Sequence, residues 1–152
     1  MPVNIRPATL SDLPAILAME RQAPSAAHWT PEQYNKLLGS GVVLVAEQAA
    51  EEGRLSGFIC AQTVAEEWEI ENVVVADPFL RRGIACELLL ELIEQARKAA
   101  ASAILLEVRR SNRPARRLYE KHGFRELGRR PSYYRDPAED AVLYALRFDA
   151  SS

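Results

Sequence analysis

Between Ile84 and Ala96 the apolar residues recur at helical spacing. Ile84, Leu88, Leu92, Ile93 and Ala96 fall on one broad face, with Glu87, Glu91 and Glu94 opposite. A period near 3.6 predicts an amphipathic helix that starts just after Gly83. Elsewhere the pattern is that of strands. Residues 3–8, 42–48 and 55–64 read as strands, the last two joined by the turn Ala50-Glu51-Glu52-Gly53. Residues 69–75 begin in polar–apolar alternation and end as a continuous apolar run before Asp77-Pro78, so this strand is expected to become buried on both faces. Residues 104–108 read as a short buried strand, and strands near 124–130 and 141–148 finish the chain.

Helix signals fill the gaps. Ser11 is placed to cap a helix running to about Arg21. Thr30-Pro31-Glu32-Gln33 reads as a capping box with proline at the first helical position, opening a short helix to Leu38. Pro114 opens another, which His122-Gly123 ends, glycine supplying the left-handed cap. Strands come first as a meander and later alternate with helices, a mixed α/β (α+β) order. No repeat or linker divides the chain, and one domain over residues 1–152 is expected.

Composition changes this picture little. With 152 residues, 48% apolar and 26% charged, the chain belongs with average globular proteins rather than disordered or fibrous ones. No apolar run approaches the roughly 20 residues of a membrane span. The start, Met-Pro-Val-Asn-Ile-Arg, lacks a signal-peptide pattern, so a cytoplasmic protein without membrane attachment is expected. Cys60 and Cys86 lack metal-ligand spacing and are too few for a disulfide framework, so no metal is expected.

Charge changes it more. Residues 1–80 carry four basic and eleven acidic side chains, whereas residues 81–152 carry fifteen basic and ten acidic. Either an anion site lies in the second half and a cation-accepting site near the first, or a solvated surface happens to segregate its charge. Nucleic-acid binding is not expected, because the net charge is −2 and no basic stripe is interleaved with aromatics.

The segment 73–85, Val-Val-Val-Ala-Asp-Pro-Phe-Leu-Arg-Arg-Gly-Ile-Ala, joins a buried strand to the long helix through a loop with small residues at Gly83 and Ala85. Free N–H groups and the positive end of the helix dipole make such a start attractive to phosphate. Small residues let the backbone approach closely, and Arg81 and Arg82 add charge. Taken alone, it could equally be an ordinary glycine-containing connection. No G-K-[ST] follows, which excludes a Walker-type loop.

Leu80-Arg81-Arg82-Gly83-Ile84-Ala85 resembles the pyrophosphate-binding signature Q/R-x-x-G-x-G/A of the GNAT superfamily of N-acetyltransferases, with Leu80 in place of the first Gln or Arg. Leu106-Glu107-Val108-Arg109, Ser111-Asn112, Ala115 and Leu118-Tyr119-Glu120 through Gly123-Phe124 resemble a second block of the same superfamily, nearest to the RimI-type ribosomal-protein alanine N-acetyltransferases. Arg129-Arg130 with Tyr133-Tyr134, then Glu139-Asp140-Ala141, and Trp29-Thr30 are similar to further RimI-type segments. The resemblance implies a GNAT fold: a mixed central sheet of six to seven strands, splayed at a bulge beside the cofactor, with about four helices. It further implies acetyl-CoA as co-substrate, direct transfer to an amine, and a protein N-terminus, such as that of a ribosomal protein, as acceptor. A monomer or weak homodimer is expected. Acetylation of a small-molecule amine, or a non-catalytic CoA-binding module, are the alternative readings.

By this resemblance, Val73, Val74 and Val75 offer backbone groups to the pantetheine arm and an oxyanion donor. Arg81, Arg82, Gly83, Ile84, Ala85 and Cys86 hold the diphosphate. Asn112 contacts the pantetheine or caps its helix. Glu107 is the candidate base, provided that burial raises its pKa; otherwise it is a carboxylate paired with Arg109 or a neighbouring arginine. Tyr119 is the candidate acid for the departing thiolate, or else a tyrosine packed on the core. Glu69, Glu71, Tyr133 and Tyr134 are expected at the acceptor site, or are exposed strand and surface residues. Cys86 would be a candidate nucleophile at a helix start, but His122 is expected far off at the end of another helix.

Overall fold

The computed structural model describes residues 2–23, 29–135 and 138–148. Its strands are β1 (Val3–Pro7), β2 (Val42–Gln48), β3 (Leu55–Val64), β4 (Glu67–Val75), β5 (Ala103–Arg109), β6 (Arg125–Tyr134) and β7 (Glu139–Arg147). Its helices are α1 (Leu13–Gln22), α2 (Pro31–Ser40), α3 (Ile84–Lys98) and α4 (Arg113–Lys121). The strands form one sheet in the order β1-β2-β3-β4-β5-β7-β6. Neighbours are antiparallel except β4 and β5, which run parallel because α3 crosses between them. The expected mixed sheet is present with seven strands, and four helices flank it.

Alternating side chains on β2 feed two cores. Leu44 and Ala46 join α3 residues, among them Leu88, Leu89 and Leu92. Val43 and Val45 join Ile16 and Met19 of α1 and Tyr34 and Leu37 of α2. Leu88, Leu89 and Leu92 are fully buried, and burying each stabilises the fold by about 1.5–3 kcal/mol. This anchors α3, and with it the loop at its start, against the sheet.

The Thr30 capping box forms as expected: Gln33 N–H donates to Thr30 Oγ1 (3.2 Å) and Thr30 N–H to Gln33 Oε1 (2.8 Å). Gly123 has φ +93° and ends α4 in the left-handed region. At α1 the expectation fails. Ser11 caps nothing; a short 3-10 turn over Leu10–Asp12 precedes the helix, and Thr9 N–H donates to Asp12 Oδ2 (2.8 Å). Asp12 is held there by Arg6 of β1, whose Nη1 lies 2.8 Å from the same oxygen. Tyr133 and Tyr134 fall on β6, which runs beyond the expected strand near 124–130. Among the described residues, no helix is long and apolar enough to cross a membrane.

Candidate functional site

β4 and β5 pair only from Glu67↔Ala103 to Ile70↔Leu106, and beyond Ile70 and Leu106 they part. On its other side β4 carries an extra residue: Ala61 of β3 faces Ile70 while Cys60 faces Asn72, so Glu71 is bulged out. The expected splayed pair is therefore present. The split opens a cavity of about 940 Å³, lined by residues of β4, β5, α4 and the start of α3. A cavity this large accommodates an extended small molecule.

At one end of the cavity lies the loop into α3. Arg81 has φ +65° and Gly83 φ +78°, two left-handed residues that turn the chain sharply into the helix. The first intrahelical bond runs from Glu87 N–H to Gly83 O (3.0 Å). The N–H groups of Ile84, Ala85 and Cys86 thus precede any intrahelical acceptor, and these residues line the cavity together with Arg81 and Gly83. Such an N–H cluster suits a diphosphate. Arg82 is not among the lining residues; its guanidinium stacks on Phe79 (5.5 Å to the ring centroid). Leu80 is half exposed and lines the cavity at the position where the signature carries Gln or Arg.

Val73, Val74 and Val75 line the middle. Opposite them α4 presents Tyr119, buried at 6% exposure and packed on Phe124 and Tyr144 at ring-centroid distances of 5.4 and 6.3 Å. Burial pushes the Tyr119 phenol well above its ordinary range, so it stays protonated. The helix carrying it is fixed at its start, where Asn112 Oδ1 accepts from Ala115 N–H (3.3 Å). Further along, the Tyr144 hydroxyl donates to Glu120 Oε2 (2.7 Å) and accepts from Arg116 Nε (3.0 Å). Asn112 therefore caps α4 and also lines the cavity.

Two carboxylates flank the point where the strands part. Glu71 follows Ile70 on β4 and Glu107 follows Leu106 on β5; both line the cavity. Glu107 Oε1 lies 3.4 Å from Arg130 Nη2 of β6, whereas Arg109 pairs with Glu139 (3.3 Å). Of the two possible arginine partners, the neighbouring one holds Glu107. Glu71 accepts from the neutral Gln62 Nε2 (3.1 Å). Burial first, and then the negative charges of Glu69 and Glu107, push its pKa up to about 7. Tyr134 lines the cavity under the Arg109 guanidinium (4.4 Å) and is pushed up to about 12, chiefly by burial. Glu69 is exposed, and neither it nor Tyr133 lines the cavity. Tyr133 stands edge-on to Tyr134 (5.1 Å), with the Glu107 charge raising its pKa.

Two features escaped the sequence reading. A buried polar network joins the bulge to the helices behind it. Asn72 Nδ2 donates to Tyr34 Oη (3.2 Å), burial and then the nearby Glu20 carboxylate keep the Tyr34 phenol protonated, and Glu20 Oε1 takes the Trp29 N–H (2.6 Å). Glu20 is 2% exposed. Its spacing from Ile16, one turn along the apolar face of α1, was the available signal. The second is His122, expected far from Cys86. The structure brings them together, Cys86 Sγ lying 3.1 Å from His122 Nε2, because the end of α4 packs beside the start of α3. Cys86 lines the cavity at the start of α3.

The Acetyltransferase (GNAT) family profile matches residues 11–124. The chain belongs to the GNAT family. This GNAT chain is 33% identical over 138 residues to the [ribosomal protein bS18]-alanine N-acetyltransferase of Escherichia coli K12, covering 90% of this chain and 91% of that one. The crystal structure of the Escherichia coli ribosomal-protein-S18-alanine N-acetyltransferase superposes with a TM-score of 0.89 at 30% identity, covering 99% and 97% of the two chains. Arabidopsis thaliana NAA60 in complex with acetyl-CoA shares the fold, with a TM-score of 0.87 at 21% identity and coverage of 97% and 100%. The protein is thus an acetyl-CoA-dependent N-acetyltransferase. Its N–H-lined helix start, joined by one cavity to the strand split, fits a diphosphate carrying a long arm.

Proposed function

We propose that this GNAT acetyltransferase acts on the α-amino group at a protein N-terminus, with a ribosomal protein as the first acceptor to try. Similarity across nine-tenths of the chain to an enzyme named for acetylating an alanine of ribosomal protein bS18 supports that acceptor. The observation carrying the reading is the split itself: one cavity connects the α3 N–H cluster to Tyr119 and two carboxylates.

Acetyl-CoA supplies an acetyl group activated as a thioester. The N–H groups of Ile84, Ala85 and Cys86, with Arg81 and Gly83, hold its diphosphate, while Arg82 supports the loop through Phe79. Backbone groups of Val73, Val74 and Val75, freed by the split, hold the arm, and an N–H among them meets the charge that develops on the acyl oxygen. Asn112 shapes the far wall. The acceptor amine enters past Tyr134, Tyr133 and Glu69. One of the carboxylates Glu71 and Glu107 takes its proton, and Tyr119 protonates the departing sulfur. An α-amino group with a pKa of about 7.7–8.0 asks little of such a base, unlike a lysine amine near 10.4.

The test is release of CoA thiol in the presence of acetyl-CoA and Ala-starting peptides. The same peptides with a blocked N-terminus, a lysine-containing blocked peptide and a polyamine serve as rivals. Turnover confined to free N-termini is expected; preference for the polyamine or for lysine refutes the protein N-terminal acceptor.

A further inference from the structure

We infer that Tyr144 of β7 is a positioning residue for acetyl transfer, its hydroxyl fixing the rotation of α4 that aims Tyr119 into the cavity. The inference rests on the reading of Tyr119 as the acid that protonates the departing sulfur, and it adds the residue that holds that acid in place. Tyr144 is fully buried. On β7 it pairs with Leu106 of β5, the residue at which the pairing of β5 with β4 ends. It therefore lies at the level where the strands part. Its hydroxyl reaches α4, donating to Glu120 Oε2 (2.7 Å) and accepting from Arg116 Nε (3.0 Å). Residues 116 and 120 are neighbours on one face of that helix, a turn apart. Arg116 is itself tied down, Nη1 donating to Arg110 O (3.0 Å) and Nη2 lying 3.6 Å from Glu126 Oε1 of β6. Glu126 is the residue that pairs with Tyr144 on that strand.

Two bonds from one oxygen to side chains a turn apart restrain α4 both along its axis and about it. Tyr119 is adjacent to Glu120, and its ring packs on the Tyr144 ring (6.3 Å). The same tyrosine thus supports the Tyr119 ring and orients the helix that carries it. Rotation matters because the acid must come within hydrogen-bond reach of sulfur, about 2.6–3.2 Å. A helix with its side chains has a radius of about 5–6 Å, so turning it by about 10° moves a side-chain tip by about 1 Å. A misplacement of about 1 Å can cost about 10²-fold in rate. In the step, the C–N bond forms as the C–S bond breaks, and the electron pair of that bond stays on sulfur. Tyr119 gives sulfur its proton, and the proton shed by nitrogen on becoming an amide restores the phenol. Phenylalanine at 144 would keep the ring contact and remove the oxygen. Arg116 would retain Arg110 and Glu126, and Glu120, which is exposed, would retain solvent. The helix would stay on the sheet with its rotation unrestrained.

The experiment is a double-mutant cycle on kcat with acetyl-CoA and an Ala-starting peptide, using wild type, Tyr144→Phe, Tyr119→Phe and the double variant. KM for both substrates and thermal melting are recorded for each. Tyr144→Phe should lower kcat about tenfold and leave both KM values unchanged. In the Tyr119→Phe background the same substitution should lower kcat no further, since a residue that acts through another has no effect once the other is gone. Wild-type kcat in Tyr144→Phe overturns the assignment. So does a fall of equal size in both backgrounds, or a loss that appears in the acetyl-CoA KM and spares kcat. If Tyr144→Phe is unfolded at the assay temperature, Glu120→Ala takes its place, removing the acceptor of the hydroxyl from the exposed side of α4. It must lower kcat where Tyr119 is present and have no effect where it is absent, and any other result overturns the assignment. Wild-type turnover in Tyr119→Phe alone overturns the acid reading as well, a separate result visible before the cycle is closed.

Discussion

Replacing Tyr34 by Phe removes one oxygen from a site with no solvent to replace it. The ring is 1% exposed and packs on Phe58 (6.0 Å) and Trp29 (5.6 Å), contacts that phenylalanine preserves. What is lost is the hydroxyl that accepts from Asn72 Nδ2 and lies near the Glu20 carboxylate. Leaving a buried donor or acceptor unpaired costs about 1–3 kcal/mol each. Asn72 and Glu20 both keep other interactions, so the lower part of that range applies to each group, about 2 kcal/mol in all. For a chain of this size each kcal/mol moves Tm by roughly 2–4 °C, so a fall of about 4–8 °C is expected. Urea melts should show a lower midpoint at unchanged slope. Asn72 sits beside the bulge, so the acceptor KM should rise while acetyl-CoA affinity, set at the far end of the cavity, stays put. A Tm within a degree of wild type would show that the network contributes little, and a loss of acetyl-CoA affinity would show that the two ends are not independent.

Tyr119→Phe should cut kcat by about 10²-fold or more with unchanged acetyl-CoA affinity, measured by stopped assay and calorimetry; wild-type turnover would remove Tyr119 from proton transfer. Gly83→Asp places a β-carbon at φ +78° and a negative charge beside the N–H cluster, and should weaken acetyl-CoA binding at least tenfold by calorimetry; unchanged affinity refutes the diphosphate site. Iodoacetamide should label Cys86 and leave the fully buried Cys60 untouched, and saturating acetyl-CoA should protect Cys86. Labelling indifferent to acetyl-CoA would place the cofactor elsewhere.

Features decided within a turn or two of chain were legible in advance. The α3 face, the Thr30 box, the Asn112 cap and the glycine after α4 depend on neighbours in sequence. Features decided by contact across the sheet were not. Ser11 is a reasonable cap on local spacing, but a 3-10 turn with Thr9 as its N-cap precedes α1, and Arg6 on β1 holds the Asp12 side chain that closes that turn. Arg130 rather than Arg109 holds Glu107 because β6, entering the sheet beyond β7, brings it alongside. The Cys86–His122 contact depends on how α3 and α4 meet, which spacing does not encode.

The bulge at Glu71 shows how one residue can make a site. In an unbroken strand Trp68, Ile70, Asn72 and Val74 would share a face. Trp68 and Ile70 do pack with α3, but Val74 packs with α1 and α2, and Val73 and Val75 take over the α3 side. One inserted residue has exchanged the faces. The consequences are coupled. Asn72 is sent toward Tyr34 rather than into the apolar α3 core, where its amide would lack partners. Glu71, otherwise one more outward residue, is left at the parting of β4 and β5. The backbone of Val73–Val75 is released from β5 and borders the cavity. Deleting residue 71 would leave Asn72 opposite Cys60 and facing Tyr34, because the register beyond the bulge already runs that way, but it would remove the carboxylate and the irregularity at the point where β4 leaves β5. For that reason the cleft, the free backbone and the Glu71 carboxylate are best regarded as one structural feature with a single origin in β4.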